Sequence, residues 1–250
     1  MIHYHGTPLG GPTQDHIRFL HGRHALVSFA YMDDLGAVAD SCQSFVFDNG
    51  AFTAWKNGKE IDRPAYYEWV RDWCRHPGFD WALIPDVIDG SENDNNAMLL
   101  EWPEDLRRFG VPVYHMHESL ERLDMLVSRL PRVAIGSSGE FPTPGAKVWW
   151  TRMQDIMKVC CDSTGKPRTR LHGLRMLNPK IFTKLPLASA DSTNAATKVN
   201  LVQDRFGTYK PPKGWQRAAV VADRCEAHNS APIWGGNGFS YETCETDEGY

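Results

Sequence analysis

The sequence predicts a single (β/α)8 TIM barrel of the α/β class, and three observations lead to this fold. The chain has 250 residues, which is about the length that one such barrel needs. Hydrophobic residues make up 42% of it and charged residues 23%, as in ordinary globular domains, which argues against disorder, a collagen-like chain or a coiled coil. Eight short apolar runs alternate with helix-compatible segments. An open, doubly wound sheet is the alternative.

The strands are expected where β-branched, aromatic and other apolar residues form short runs, at residues 2–6, 25–31, 44–48, 81–87, 111–116, 133–136, 171–177 and 187–191. Helices are expected at 64–75, 94–109, 119–130 and 146–161, where apolar residues recur at i, i+3 and i+4 spacing. Pro64 suits the first turn of its helix and Ser119 suits an N-cap. We expect the barrel to occupy residues 1–206, with a C-terminal extension at 207–250 packed on it or trailing from it.

The chain shows no apolar run of about 18 residues and no signal-peptide core near its start, so we expect a cytoplasmic protein without a membrane partner. Its six cysteines are irregularly spaced, which favours reduced thiols over a disulfide framework. Cys225, His228 and Cys244 have poor spacing for zinc. We therefore expect neither a metal nor a cofactor.

The net charge of −4 hides an uneven distribution along the chain. Residues 147–217 carry 14 lysines and arginines against four aspartates, and the rest of the chain is acidic. This asymmetry predicts a basic face that contacts nucleic acid and flanks the active-site mouth. The expected contact residues are Arg168, Arg170, Lys198, Arg205 and Lys210. The alternative is a set of ordinary solvated side chains.

Three of the predicted strands end in an aspartate, namely Asp48, Asp86 and Asp191. Active sites of barrels lie at the carboxyl ends of the strands, so these side chains are expected around one pocket. Carboxylates in pairs suit chemistry at an anomeric carbon, where one attacks the sugar and the other handles the proton of the leaving group. Each aspartate also has a structural interpretation, as a turn residue or as a helix cap.

Two further features suit a planar ligand with hydrogen-bonding edges. The loop that contains Gly136, Ser137 and Ser138 offers backbone N–H groups with little side-chain obstruction, although a surface loop or a phosphate nest has the same composition. Phe52 and His172 offer flat or soft faces on which a ring can lie.

Taken in chain order, these residues resemble the tRNA-guanine transglycosylases and their DNA-modifying relatives. Residues 48–52, Asp-Asn-Gly-Ala-Phe, are similar to the family's Asp-Ser-Gly-Gly-Phe/Tyr loop, and residues 134–140 to its Ala-Ile-Gly-Gly-Leu-x-x-Gly-Glu loop. His172-Gly173-Leu174 resembles the family's Met-Gly-Val stretch, and Asp86 and Asp191 fall where the family has aspartates. The resemblance implies a (β/α)8 barrel that exchanges guanine in nucleic acid for a 7-deazaguanine base.

The same resemblance implies the roles of the site residues. Asp191 corresponds to the nucleophile and Asp48 to the general acid/base. Phe52 and the pair His172 and Gly173 correspond to residues that cover the two faces of the base. Its edge is read at positions matching Asp86 and the loop Gly136, Ser137 and Ser138. Either Tyr114 or His115 corresponds to a base-reading glutamine.

The sequence departs from the tRNA-modifying members of this family at several points. Asn49, Ala51, Ser137 and His172 differ from the common residues, and the Cys-x-Cys-x-x-Cys zinc motif is missing after Asp191. The chain is also shorter, and in this it resembles the small phage and bacterial enzymes that act on DNA. DNA is therefore expected as the substrate ahead of tRNA, and the need for a helicase-like partner to open the duplex stays open.

Two alternative functions belong to other classes. In a metal-dependent hydrolase on an amidohydrolase-like barrel, the metal ligands would come from His3, His5, His115, His117, His172 and Asp191. A non-catalytic barrel that binds nucleic acid would keep the basic face and would tolerate the loss of Asp191.

Overall fold

A computed structural model describes residues 1–7, 12–33, 35–193, 195 and 211–236. It confirms the predicted barrel, because parallel strands form one sheet with helices between them. The strands are β1 (Ile2–Gly6), β2 (His24–Ser28), β3 (Ser44–Asp48), β4 (Phe79–Leu83), β5 (Gly110–Val111), β6 (Val113–His115), β7 (Arg132–Gly136), β8 (Arg170–Gly173) and β9 (Ser189–Ser192). Their order in the sheet is β5-β4-β3-β2-β1-β9-β8-β7-β6.

A proline explains why the sheet has nine strands although eight were predicted. Pro112 alone separates β5 from β6, and proline has no N–H to donate to a strand ladder. The carbonyl of Val111 accepts the N–H of Ile84 at 2.9 Å on one side, and that of Pro112 accepts the N–H of Ala134 at 2.9 Å on the other. The two end strands of the sheet are thus one interrupted barrel strand, and the two ends of the sheet meet at Pro112.

The helices are α1 (Thr13–Leu20), α2 (Leu35–Ser41), α3 (Ala51–Lys56), α4 (Arg63–Trp73), α5 (Glu92–Glu101), α6 (Leu120–Arg129), α7 (Lys147–Cys160), α8 (Pro179–Phe182) and α9 (Gly214–Glu226), with 3-10 turns at Phe29–Tyr31 and Glu104–Phe109. Asp62 caps α4, in whose first turn Pro64 lies, and Ser119 caps α6 by accepting the N–H of Arg122. The two expected helix starts are confirmed. Within the described ranges, every helix is too short or too polar to cross a bilayer.

Alternation along the strands separates the inside of the barrel from its outside. The interior is filled by a cluster made of Tyr4, Leu26, Val46, Trp81, Leu83, Val111, Val113 and Ala134. Alternate residues of a strand face the same side of the sheet. Ser28, Asp48 and His115 each follow a residue of this cluster by two positions, so they also face the inside, at the carboxyl ends of their strands. The predicted site therefore lies directly above the packed interior.

The helices that surround the barrel pack in two separate clusters. One lies under α6 and α7 and contains Trp149 and Trp150, which are almost fully buried. The other lies under α1, α2 and α4.

Helix α9 packs on the barrel instead of trailing from it. Its Ala218 and Ala222 are fully buried in the same cluster as Phe19 of α1. Arg23 Nη1 lies 2.9 Å from Glu226 Oε2, and Arg23 Nη2 lies 2.6 Å from Asp223 Oδ1. Helix α9 therefore lies beside α1 and next to β1 on the outside of the barrel.

Candidate active site

The three predicted aspartates lie at the same end of the barrel. Asp48 is the last residue of β3, Asp86 follows the end of β4, and Asp191 lies in β9. Burial is the largest cause that raises the pKa of Asp48 to about 6, and the negative charges of Asp191 and Asp86 contribute to the same rise. The structure thus brings the three carboxylates to one end of the barrel, and Asp48 lies within electrostatic reach of the other two.

Asp191 is held in place by one group from the neighbouring strand β8 and one from the turn that follows it. Its Oδ1 accepts the backbone N–H of Arg175 at 3.0 Å, and His172 Nε2 lies 3.2 Å from the same oxygen. Only 5% of Asp191 is exposed. Arg175 has a φ of 59°, the one positive φ of a non-glycine residue in the described part of the chain. This left-handed conformation aims its N–H at the carboxylate, and no glycine marks the position in the sequence.

His172 differs from its expected role as a cover for a bound base. Its ring is fully buried in the barrel, where Nδ1 lies 2.8 Å from Ser189 Oγ and the ring packs against Trp81. His172 points inward because it alternates with Leu171 and Gly173, which face the helices. It therefore supports Asp191 from below and presents no face to the mouth.

Gly173 likewise does not face the site. A Cβ at this position would lie 2.9 Å from both Leu187 Cδ1 and Met176 Sδ. Such close approach shows that Gly173 allows tight packing on the outer side of β8. The expectation that it contacts the base is corrected to a packing role.

Asp86 and His115 form a pair on the opposite side of the mouth. His115 Nε2 lies 2.9 Å from Asp86 Oδ2, and both side chains are buried. Asn49 Nδ2 donates to Asp86 Oδ1 at 2.7 Å and to the carbonyl of Ile84 at 2.9 Å. The side chain of Asn49 also accepts the N–H of Ala51 at 2.8 Å, so it ties the end of β3 to the loop that carries Asp86.

Beneath this pair lies a buried hydrogen-bond network centred on Glu118, which the sequence does not predict. Glu118 Oε2 accepts the backbone N–H of His115 at 2.8 Å and forms an ion pair of 2.5 Å with Arg122. Glu118 Oε1 accepts from Asn95, whose own Oδ1 accepts the N–H of Val87 at 2.8 Å. Glu118 thereby fixes both the strand end with His115 and the loop with Asp86. The only sequence signal is an ordinary i, i+4 pair of Glu118 and Arg122, which is usually a surface feature.

The loop after β7 begins beside His115 with a residue that has no side chain. Gly136 is the last residue of β7 and carries no side chain into the barrel beside His115. The two serine side chains are engaged elsewhere: Ser137 Oγ accepts from Trp149 Nε1 at 2.8 Å, and Ser138 Oγ lies 2.8 Å from His117 Nδ1. Their hydroxyls thus hold the loop, and any contact with a ligand falls to its main chain.

Phe52 lies at the rim of the mouth on α3. Its side chain is 45% exposed, and the Cζ atom of Arg175 lies 4.7 Å from the centre of its ring. Arg175 therefore joins Phe52 to Asp191, through its side chain on one side and its backbone on the other. This residue was missed in the sequence, where it is one arginine among many.

Two of the five basic residues expected beside the mouth, Arg168 and Arg170, lie elsewhere. Arg170 begins β8, and Arg168 precedes it, so both are at the amino ends of the strands, where they line a groove of about 660 Å³. Arg168 Nη1 lies 2.7 Å from Asp124 Oδ1. Helix-to-strand loops fall at this end of any (β/α)8 barrel, opposite the carboxylates. Lys198, Arg205 and Lys210 lie outside the described residues.

The histidines of the alternative metal site are not together. His5 Nε2 lies 2.7 Å from Glu226 of α9, and the ring of His3 packs on Phe182, so both face outward from β1, away from His115. Among the described residues, no group of three or more His, Cys, Asp or Glu side chains is placed to hold a metal ion. Cys225 is buried against the carbonyl of Leu177, and Cys244 lies outside the described residues.

No protein-family model and no curated protein matches the chain. Among solved structures, it is similar to a protein described as a fructose-1,6-biphosphate aldolase from Coccidioides immitis, with a TM-score of 0.52 and 15% sequence identity. The similarity covers 91% of this chain and 90% of that one. At this identity, the likeness shows the fold alone, and it extends over nearly the whole barrel.

Proposed function

We propose that the protein is a base-exchange glycosyltransferase that replaces guanine in DNA with a 7-deazaguanine base through a covalent aspartate-sugar intermediate. The observation that carries the proposal is the contrast between two carboxylates at one end of the barrel. Asp191 is oriented by the N–H of Arg175 and by His172, whereas burial raises the pKa of Asp48 to about 6. Carboxylates in such different surroundings suit different roles, one as a nucleophile and one as a proton carrier.

In the first half of the proposed reaction, a carboxylate oxygen of Asp191 attacks C1′ of a deoxyguanosine. The bond from C1′ to the base nitrogen breaks, and its electron pair leaves with guanine, which takes a proton from Asp48. In the second half, the incoming 7-deazaguanine gives its proton to Asp48, forms the new bond at C1′ and releases the carboxylate of Asp191. Asp48 ends protonated as it began, so no other reactant is needed.

The base would lie between Phe52 and the loop after β7. Phe52 offers an exposed aromatic face at the rim. Asp86 and His115 offer polar atoms at the edge, and the backbone at Gly136 offers further hydrogen bonds. The nucleotide must leave the base stack to enter, at a cost of a few kcal/mol that stacking and edge contacts offset.

DNA is proposed ahead of tRNA because the sequence resembles the shorter, DNA-acting enzymes. The five described cysteines are all free, which suits the reducing cytoplasm in which such an enzyme would work. A helicase-like partner is needed only if the substrate is a closed duplex.

The proposal is tested by mass spectrometry of nucleosides from DNA and from tRNA, each incubated with the protein and 7-deazaguanine bases. The deazaguanine nucleoside should appear in DNA. Denaturing electrophoresis with labelled DNA then assigns the roles: Asp191→Asn should abolish both the covalent adduct and exchange, because an amide cannot form the sugar ester. Asp48→Asn should slow exchange by about 10²- to 10⁴-fold while retaining some adduct. A stable adduct in Asp191→Asn would assign the attack to another residue.

A further inference from the structure

We propose that Trp55, Phe52 and Arg175 form a binding surface for an unpaired DNA strand, called here the strand surface, which leads the strand to Asp191. This inference rests on the proposed function for its direction toward the active site.

Two aromatic rings form the outer part of the strand surface. Trp55 is 48% exposed and Phe52 is 45% exposed, so each shows a large apolar area to solvent. They lie one turn apart on α3, with ring centres 5.9 Å apart and planes inclined by 37°. Because α3 begins just after Asp48 and Gly50, this pair of rings starts at the rim of the site.

Arg175 forms the inner part of the strand surface. Its exposed guanidinium lies over the ring of Phe52, while its backbone N–H holds Asp191. A guanidinium is planar, stacks on aromatic rings and binds phosphate with two parallel hydrogen bonds. We infer that a base displaces Arg175 from the face of Phe52, and that the released guanidinium then binds a phosphate beside the sugar under attack.

The exposed rings of Phe52 and Trp55 beside the cation of Arg175 favour a single strand over a duplex as the ligand. In a duplex the faces of the bases are covered by their neighbours, and only an unpaired strand can offer them to Phe52 and Trp55. Exposed Lys56 follows Trp55 at the end of α3 and adds positive charge on the same path. Arg168 and Arg170, at the far end of the barrel, cannot take part.

The test is fluorescence anisotropy with labelled oligothymidylate, which contains no guanine and so reports binding without exchange. Trp55→Ala should weaken binding by about tenfold or more, and Trp55→Phe should restore most of it. Arg175→Gly is a selective change, because glycine accepts the positive φ and keeps the N–H to Asp191. It should reduce the slope of log affinity against log salt by about 0.7, the value for one phosphate contact on a single strand.

The matched control is Arg170→Gln, which removes the same charge at the opposite end and should leave affinity and salt slope unchanged. Trp55→Gln replaces Trp55→Ala if the alanine variant fails a thermal-unfolding check. Wild-type affinity in both Trp55→Ala and Arg175→Gly, a preference for duplex, or no binding of the oligonucleotide by wild type would each overturn the proposal. If the variants behave as expected but no exchange is seen, the strand surface stands and the proposed function fails. If the wild type catalyses exchange but Trp55→Ala and Arg175→Gly bind the oligonucleotide as the wild type does, the proposed function stands and the strand surface fails.

Discussion

Replacing Asp48 with asparagine should change how stability depends on pH. Burial raises the pKa of Asp48 from 3.8 to about 6. Between these values the native protein holds a proton that the unfolded chain has lost, so raising the pH lowers the free energy of unfolding of the wild type. At 1.36 kcal/mol per pKa unit, the loss is about 2–3 kcal/mol and is nearly complete by about pH 7. Asparagine does not titrate, so the variant lacks this loss.

The measurement is urea unfolding of wild type and Asp48→Asn at several pH values from 4 to 7.5. The free energy of unfolding of the variant minus that of the wild type should rise by about 2–3 kcal/mol across this range. Subtraction removes the titration of carboxylates that are distant from Asp48. Asp72→Asn, on the exposed side of α4, is the control, and its difference should stay nearly constant. A constant difference for Asp48→Asn would show that burial does not penalise its charge, and the assignment of Asp48 as the general acid would lose its basis.

Three further predictions concern activity and packing. Guanine release by the wild type should slow as the pH rises above about 6, because Asp48 must be protonated to donate, and a pH-rate profile with a flat basic limb would contradict this. Phe52→Ala should weaken capture of the 7-deazaguanine base by about 1–3 kcal/mol, measured by calorimetric titration, and unchanged affinity would remove Phe52 from the base site. Arg122→Met should lower the free energy of unfolding by about 3–5 kcal/mol, because it leaves the buried charge of Glu118 unpaired, and a loss below about 1 kcal/mol in a denaturant titration would contradict the buried pair.

The fold was predictable because its signals are local. Each predicted apolar run overlaps a barrel strand, and the run at 44–48 has the observed bounds. The ends of other runs were less well placed: the runs beginning at residues 81 and 171 were expected to extend to 87 and 177, yet β4 ends at Leu83 and β8 at Gly173. Past these points the chain keeps its apolar composition but turns into loops, and composition alone does not show where pairing stops.

The site was predictable only where position along a strand decides it. Asp48 was placed at the mouth because it ends a strand. Arg168 was misplaced because charge along the chain does not show at which end of a barrel a loop falls. His5 was offered as a ligand although strand alternation turns it outward. The roles of Arg175 and Glu118 depend on a left-handed φ and on burial, and neither leaves a local pattern in the sequence.

The packing of α9 has a consequence for synthesis of the chain on the ribosome. Ala218 and Ala222 complete the core around Phe19, and Glu226 pairs with both His5 and Arg23. The first half of the barrel therefore stays incomplete until α9 has been translated. A nascent chain that stalls before residue 214 would leave the apolar surface of α1 uncovered, which makes it a target for chaperones and proteases.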